Sequence, residues 1–97
     1  MEVTQRLQGE VVSVSERGDL ITSIRASELE NTPRDESVTV TFDGHKTAGI
    51  FALQHDQPDM TLIALIGDQE CLEIRLVGES VNAFLGVGVG AGVSVEW

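Results

Sequence analysis

The side chains in this sequence that could do chemistry are few and poorly grouped. His55, Asp56 and Asp59 fall within five residues of one another, and an imidazole with two carboxylates is a donor set compatible with a divalent cation. The stretch around them is polar and contains Pro58. In an acidic chain that composition reads as a solvated loop, and no metal site is expected there. His45 directly follows Asp43-Gly44, which places it at the start of a strand, and neither histidine has an identifiable serine or cysteine partner to activate as a base. The single cysteine, Cys71, has Glu70 and Glu73 as neighbours. These are carboxylates rather than the cations that activate a nucleophilic thiol, so Cys71 reads as a packing residue or an inert surface thiol. Gly86-Val87-Gly88-Val89-Gly90-Ala91 has the glycine spacing of a dinucleotide-binding turn, but that motif needs a strand before it and a substantial helix after it. Only six residues follow Ala91, and the stretch reads as a tight loop into a last strand. These patterns assign no catalytic residue, no metal and no cofactor.

The elements that must position these side chains are mostly short strands. Residues 7–15 become alternating towards their end, with Val12 and Val14 on one face and Ser13 and Ser15 on the other. Glu16-Arg17-Gly18-Asp19 offers a turn, and residues 20–24 resume an apolar, β-branched pattern, so the pair predicts a hairpin. Residues 26–31 predict one helical turn, ended by Pro33. In residues 37–42, Val38, Val40 and Phe42 share one face and Thr39 and Thr41 the other. Asp43-Gly44 then predicts a two-residue hairpin, with residues 45–51 returning antiparallel. A polar loop over residues 53–59 leads to a buried strand at 61–66, and Asp68-Gln69-Glu70 turns the chain into a half-exposed strand carrying Leu72, Ile74 and Leu76. Ser80 is a natural cap for a short helix with Val81, Phe84 and Leu85 at i, i+3 and i+4, and Gly86 is placed to end it. A last strand covers 93–96.

This succession of strands and turns predicts an all-β, mostly antiparallel fold, a small barrel with Greek-key-like connections and one or two short helical turns. The 97 residues suit one domain, able to bury roughly 60 to 65% of the surface its unfolded chain exposes. The composition is 41% hydrophobic, too apolar for a disordered tail, and sixteen carboxylates against six Lys and Arg leave a formal charge of −10. Such a field repels phosphate backbones and anionic headgroups, so neither nucleic acid nor a membrane surface is an expected partner. Aromatic stacking surface is sparse, with three Phe, one Trp and no Tyr. The opening residues lack the apolar stretch of a leader, a lone cysteine makes no internal disulfide, and the longest apolar run (62–66) is far short of the ~20 residues of a membrane span. A reducing cytoplasm is the expected compartment.

Two segments carry a family resemblance. Gly18-Asp19-Leu20-Ile21-Thr22-Ser23-Ile24, and Leu62-Ile63-Ala64-Leu65-Ile66-Gly67 running through Cys71-Leu72-Glu73-Ile74 to Gly78-Glu79-Ser80, resemble the C-terminal β-barrel domain of the S-adenosylmethionine hydroxide adenosyltransferases, the family that also contains fluorinating and chlorinating enzymes. There the early hairpin typically reads Phe-Gly-Asn-Leu-Ile-Thr-Asn-Ile and the later stretch Ala-Leu-Ile-Gly-Ser-Ser-Gly-Tyr-Leu-Glu-Ile, in the same order. The endings Phe84-Leu85-Gly86-Val87 and Gly90-Ala91-Gly92-Val93 are similar too.

The resemblance implies a barrel whose family partner, a larger N-terminal domain that holds ribose and methionine and activates water or halide, has no counterpart in these residues. Catalysis by this chain alone is therefore not expected. In the family the barrel contacts adenine at a subunit boundary through the hairpin Asn, an aromatic residue and backbone near a Ser-Gly turn. By position these are Asp19, Phe51, and Asp68 with Gln69. Asp19 departs from the pattern, since a carboxylate only accepts where an amide also donates. Ser23, Glu70 and Cys71 depart as well. The expectation is a non-catalytic, self-associating binding or scaffold domain, with trimers implied by the resemblance. The alternative is an accessory subunit that completes an adenosyl site on a separate catalytic domain.

Overall fold

Alternating β-branched residues and tight glycine turns leave this chain little choice but short paired strands, and a computed structural model shows how they close. Residues 5–97 are described; Met1, Glu2, Val3 and Thr4, on which much of the expectation of no leader rests, lie outside the described residues. The strands are β1 (Arg6–Val14), β2 (Leu20–Arg25), β3 (Thr39–Phe42), β4 (His45–Ala48), β5 (Leu62–Ile66), β6 (Cys71–Leu76) and β7 (Gly92–Glu96). A 3-10 turn spans Ala26–Leu29 and one short helix, α1, spans Val81–Leu85. β1–β2, β3–β4 and β5–β6 are antiparallel hairpins, and β7 slots between β3 and β1. The resulting antiparallel sheet runs β4-β3-β7-β1-β2-β6-β5 and curls until its two ends meet, giving the nearly closed, Greek-key-like barrel anticipated.

The Asp-Gly hairpin is as expected. Asp43 and Gly44 both take positive φ, 47° and 84°, the conformation of a type I′ turn, and Phe42 pairs with His45 across it. His45 rests its ring 5.5 Å from that of Phe42. The returning strand is shorter than expected: it stops at Ala48 rather than continuing to residue 51. Gly49 leaves the β region at φ 83°, and Ile50 N–H then donates to the Arg34 carbonyl at 3.0 Å. Phe51 consequently joins β5 instead, donating to Ala64 O at 2.8 Å and forming a parallel bridge with Leu65. That bridge closes the seam between the barrel's two edge strands.

Inside sit Val11, Leu20, Val40, Phe42, Ile74 and Val95, each fully buried, with Phe42 as the one aromatic ring of the core. Thr22 is also fully buried, and its hydroxyl donates to Leu72 O at 2.8 Å and accepts from Ile24 N–H at 3.2 Å. This satisfies backbone groups where the β2–β6 register slips. Ile63 and Leu65 point away from the core side of β5 yet are buried too, at 1% and 0% exposure. In the loop that leads to β5, Leu53 lines a cleft with Glu73 and Arg75, and His55 lines a neighbouring one with Arg75. α1 is capped by Ser80, which accepts from Ala83 N–H at 3.0 Å, and ends at Gly86 with φ 70°. Its spacing suggested one apolar face, but only Val81 is buried while Phe84 stands 59% exposed. Among the described residues no helix is long and apolar enough to cross a membrane.

Candidate functional site

The turn between β1 and β2 is tied down on three sides. Ser15 N–H donates to Asp19 O at 2.9 Å, Asp19 N–H donates to Ser15 Oγ at 3.1 Å, and Gly18 N–H donates to Ser15 O at 2.9 Å. Gly18 takes φ 87°, and a Cβ there would lie 1.7 Å from Ser80 Oγ. The absent side chain lets α1 dock on the turn, where Asn82 N–H donates to Gly18 O at 3.0 Å. The carboxylate of Asp19 is thereby fixed on the outside of the sheet.

β6 brings the second part. Leu72, Ile74 and Leu76 point into the core, so the period of two sends Glu73 and Arg75 outward, with Glu73 opposite Ile21. Arg75 Nη2 donates to Glu73 Oε1 at 2.9 Å, and its Nε lies 3.3 Å from the same oxygen and 3.4 Å from Asp19 Oδ2. One guanidinium thus bridges two carboxylates whose side chains are only 9% and 7% exposed. The Glu73 carboxylate occupies the space a side chain on Gly67 would need: a Cβ at Gly67 would fall 1.7 Å from Glu73 Oε2.

Two clefts open on either side of this cluster and share Arg17, Asp19 and Arg75. One, of about 490 Å³, is also lined by Glu16, Asp68, Gln69 and Glu73. The other, of about 470 Å³, adds His55, Glu79 and Ser80. Of the residues singled out from the sequence, Asp19, Asp68 and Gln69 meet in the first cleft. Phe51 lines a third, of about 420 Å³, with Ile50, Ile66 and Arg34, and Leu53 stands between it and the first. Around the two charged clefts, the five carboxylates of Glu16, Asp19, Asp68, Glu73 and Glu79 face two guanidiniums. The local field is acidic, in keeping with the whole chain.

His55 accepts the Gln57 N–H on Nδ1 at 3.1 Å, which leaves its Nε2 as the remaining polar atom of the ring. Among the described residues no three His, Cys, Asp or Glu side chains converge as a metal would require. Cys71 is half-buried, with its thiol 3.6 Å from Gln69 O. The glycine stretch 86–91 is a loop laid on β1, where Val11 N–H donates to Ala91 O and Gly90 N–H to Val11 O, both at 2.9 Å.

The sequence does not single out Arg75 and Glu73. Their alternation marks them as outward-facing on a strand, but nothing in the spacing links them to Asp19, more than fifty residues earlier.

The family described as "SAM hydroxide adenosyltransferase C-terminal domain" matches residues 9–94. Among solved structures, a conserved hypothetical protein from Thermus thermophilus superposes with a TM-score of 0.69 at 19% identity, over 91% of this chain and 32% of its own. An uncharacterized conserved protein from Thermotoga maritima gives 0.73 at 18% identity, over 98% of this chain and 38% of its own. At such identities the likeness is one of fold, and the chain spans about a third of each of these proteins. No curated protein matches the chain.

Proposed function

The chain belongs to the family of SAM hydroxide adenosyltransferase C-terminal domains, and from that premise we propose that it acts as a non-catalytic, self-associating binding domain. One observation carries this reading: at the position where the resemblance puts an adenine-reading amide stands Asp19, held against Arg75, which is itself bonded to Glu73. An amide at that point reads a neutral base by donating and accepting; a carboxylate beside a guanidinium presents charge instead. The ligand-facing chemistry differs while the strands that hold it follow the family pattern, and a shared fold does not bring a shared ligand with it.

Self-association is supported by exposed apolar side chains. Val12, Phe84 and Val89 are 49%, 59% and 68% exposed. The loop carrying Val89 is bonded to β1 at Val11, next to Val12, and follows directly on α1, which carries Phe84. The test pairs two measurements on the purified chain. Calorimetry with adenosine and S-adenosylmethionine should give no saturable heat at millimolar ligand, and light scattering should give a multiple of the single-chain mass. A strict monomer at high concentration removes the self-association part of the reading.

The second reading is an accessory subunit that completes an adenosyl site with a separately supplied domain. It is favoured by the convergence of Asp19, Asp68 and Gln69 on one cleft. Micromolar, saturable binding of adenosine would select it over the first.

A further inference from the structure

Residues 81–95 are the longest stretch of the chain without Asp, Glu, Lys, Arg or His, in a sequence in which 23% of residues carry charge. The stretch does not owe its neutrality to burial alone, since Phe84 and Val89 stand exposed, as does Val12 beside it. The backbone under these side chains is held. Val11 N–H donates to Ala91 O and Gly90 N–H to Val11 O, so Val12 and Val89 each adjoin a residue of these bonded segments. Asn82 Nδ2 donates to Val87 O at 2.9 Å, which ties the loop back to the helix that carries Phe84. Val81 and Val87 anchor the helix and the loop in the core. Exposed apolar side chains on a charge-free, pre-organised backbone are the make-up of the central part of an interface, which is depleted in charge and loses little freedom on association. From this arrangement we propose that α1 and the loop 86–91, with Val12, form a two-fold contact between copies of this chain. The proposal rests on the reading of the chain as self-associating, and names the surface and the symmetry through which it does so.

Charge selects a second copy as the occupant. In a two-fold contact the same patch meets itself, so its charges must be compatible with themselves. Two chains of formal charge −10 repel each other, and a surface carrying carboxylates would set like charges face to face. The stretch 81–95 brings none. A cationic partner would be drawn instead to the clefts where Glu16, Asp19, Asp68 and Glu79 gather. The arrangement also fixes the sign of the salt effect. With no ion pair across the contact, added salt screens only the repulsion between the two chains, so association tightens. A contact built on ion pairs would loosen.

The experiment is sedimentation velocity on a dilution series of the purified chain at about 0.02 M and about 0.5 M salt, between which the screening length falls from roughly 20 Å to roughly 4 Å. Dimers are expected, with a dissociation constant several-fold lower at the higher salt. Phe84→Asp should weaken association by about thirty-fold or more, the scale of an aromatic anchor at the centre of an interface. Lys46→Gln, on β4, changes the net charge by the same unit outside the patch and should leave the dissociation constant within about two-fold. Val89→Lys and Val89→Glu should each be monomeric alone and should pair when mixed in equal amounts, a recovery that no loss of folding produces. Should Phe84→Asp not fold, the Val89 pair is read in its place. Association that loosens with salt, survives Phe84→Asp, or stays absent in the Val89 mixture overturns the proposal and leaves self-association to another surface. A strict monomer at both salt concentrations removes the reading beneath it as well.

Discussion

Replacing Arg75 by methionine should reveal what holds the charged cluster together. Methionine keeps much of the apolar stem that packs on the sheet and removes only the guanidinium. Asp19 and Glu73 would then be two carboxylates, 9% and 7% exposed, with no cation between them. Removing one member of a buried ion pair costs roughly 3 to 5 kcal/mol. Arg75 itself is 23% exposed, so water and counter-ions recover part of that, and a loss of about 2 to 4 kcal/mol is expected. Against a stability of about 5 to 10 kcal/mol for a domain of this size, that is a large fraction. The assay is equilibrium urea unfolding, where a slope of about 1.5 kcal/mol per molar moves the midpoint down by roughly 2 M. The decisive comparison adds Asp19→Asn and Glu73→Gln to Arg75→Met. Neutralising the stranded carboxylates should restore most of the loss, since coupled residues in contact are strongly non-additive. A loss below about 0.5 kcal/mol for Arg75→Met, or a triple variant no more stable than the single one, refutes the reasoning.

Gly67→Ala should destabilise by about 2 kcal/mol, because its Cβ would fall 1.7 Å from Glu73 Oε2 and expel a buried carboxylate from its place; a thermal midpoint lowered by roughly 10 °C would register it. Thr47 is 8% exposed, pairs with Val40, and its Oγ1 is buried without a hydrogen-bond partner. Thr47→Val should therefore stabilise by about 1 kcal/mol in the same melting experiment, and a destabilisation of that size would show that the hydroxyl has a partner. Asp35 is held below its ordinary value of 3.8 first by the Ser37 hydroxyl, at 2.5 Å, and then by the Ser37 N–H. Because the folded value is the lower one, its stabilisation is present above about pH 4 and is lost as pH falls through that lowered value. Ser37→Ala should move the Asp35 titration, followed by carboxyl NMR, up towards 3.8; an unchanged midpoint would deny the hydroxyl its role.

Much of the barrel is visible in single residues. Alternation in Val38, Val40 and Phe42 marks a half-buried strand wherever it occurs, and Asp43-Gly44 needs no tertiary help to take positive φ at both positions. Ser80 and Gly86 likewise act within one turn of chain. The return strand over 45–51 ends earlier than its residues suggest, because Gly49 is compatible with a strand by itself. What bends it is the carbonyl of Arg34, supplied by a loop that precedes β3. Spacing puts Phe84 on an apolar face, yet a helix this short, docked on the turn that precedes β2, has room to bury only Val81.

The sequence by itself determined the strands, the tight turns, the acidic character and the positions that depart from the family pattern, since each depends on residues within a few steps of one another or on composition alone. Only the tertiary structure decided which charges meet. Arg75 sits two residues from Glu73 but reaches Asp19 because β2 and β6 are neighbours in the closed sheet, and the space for Glu73 exists because Gly67 lacks a side chain. Contacts of that kind are set by the order in which distant strands pair, which no local pattern encodes.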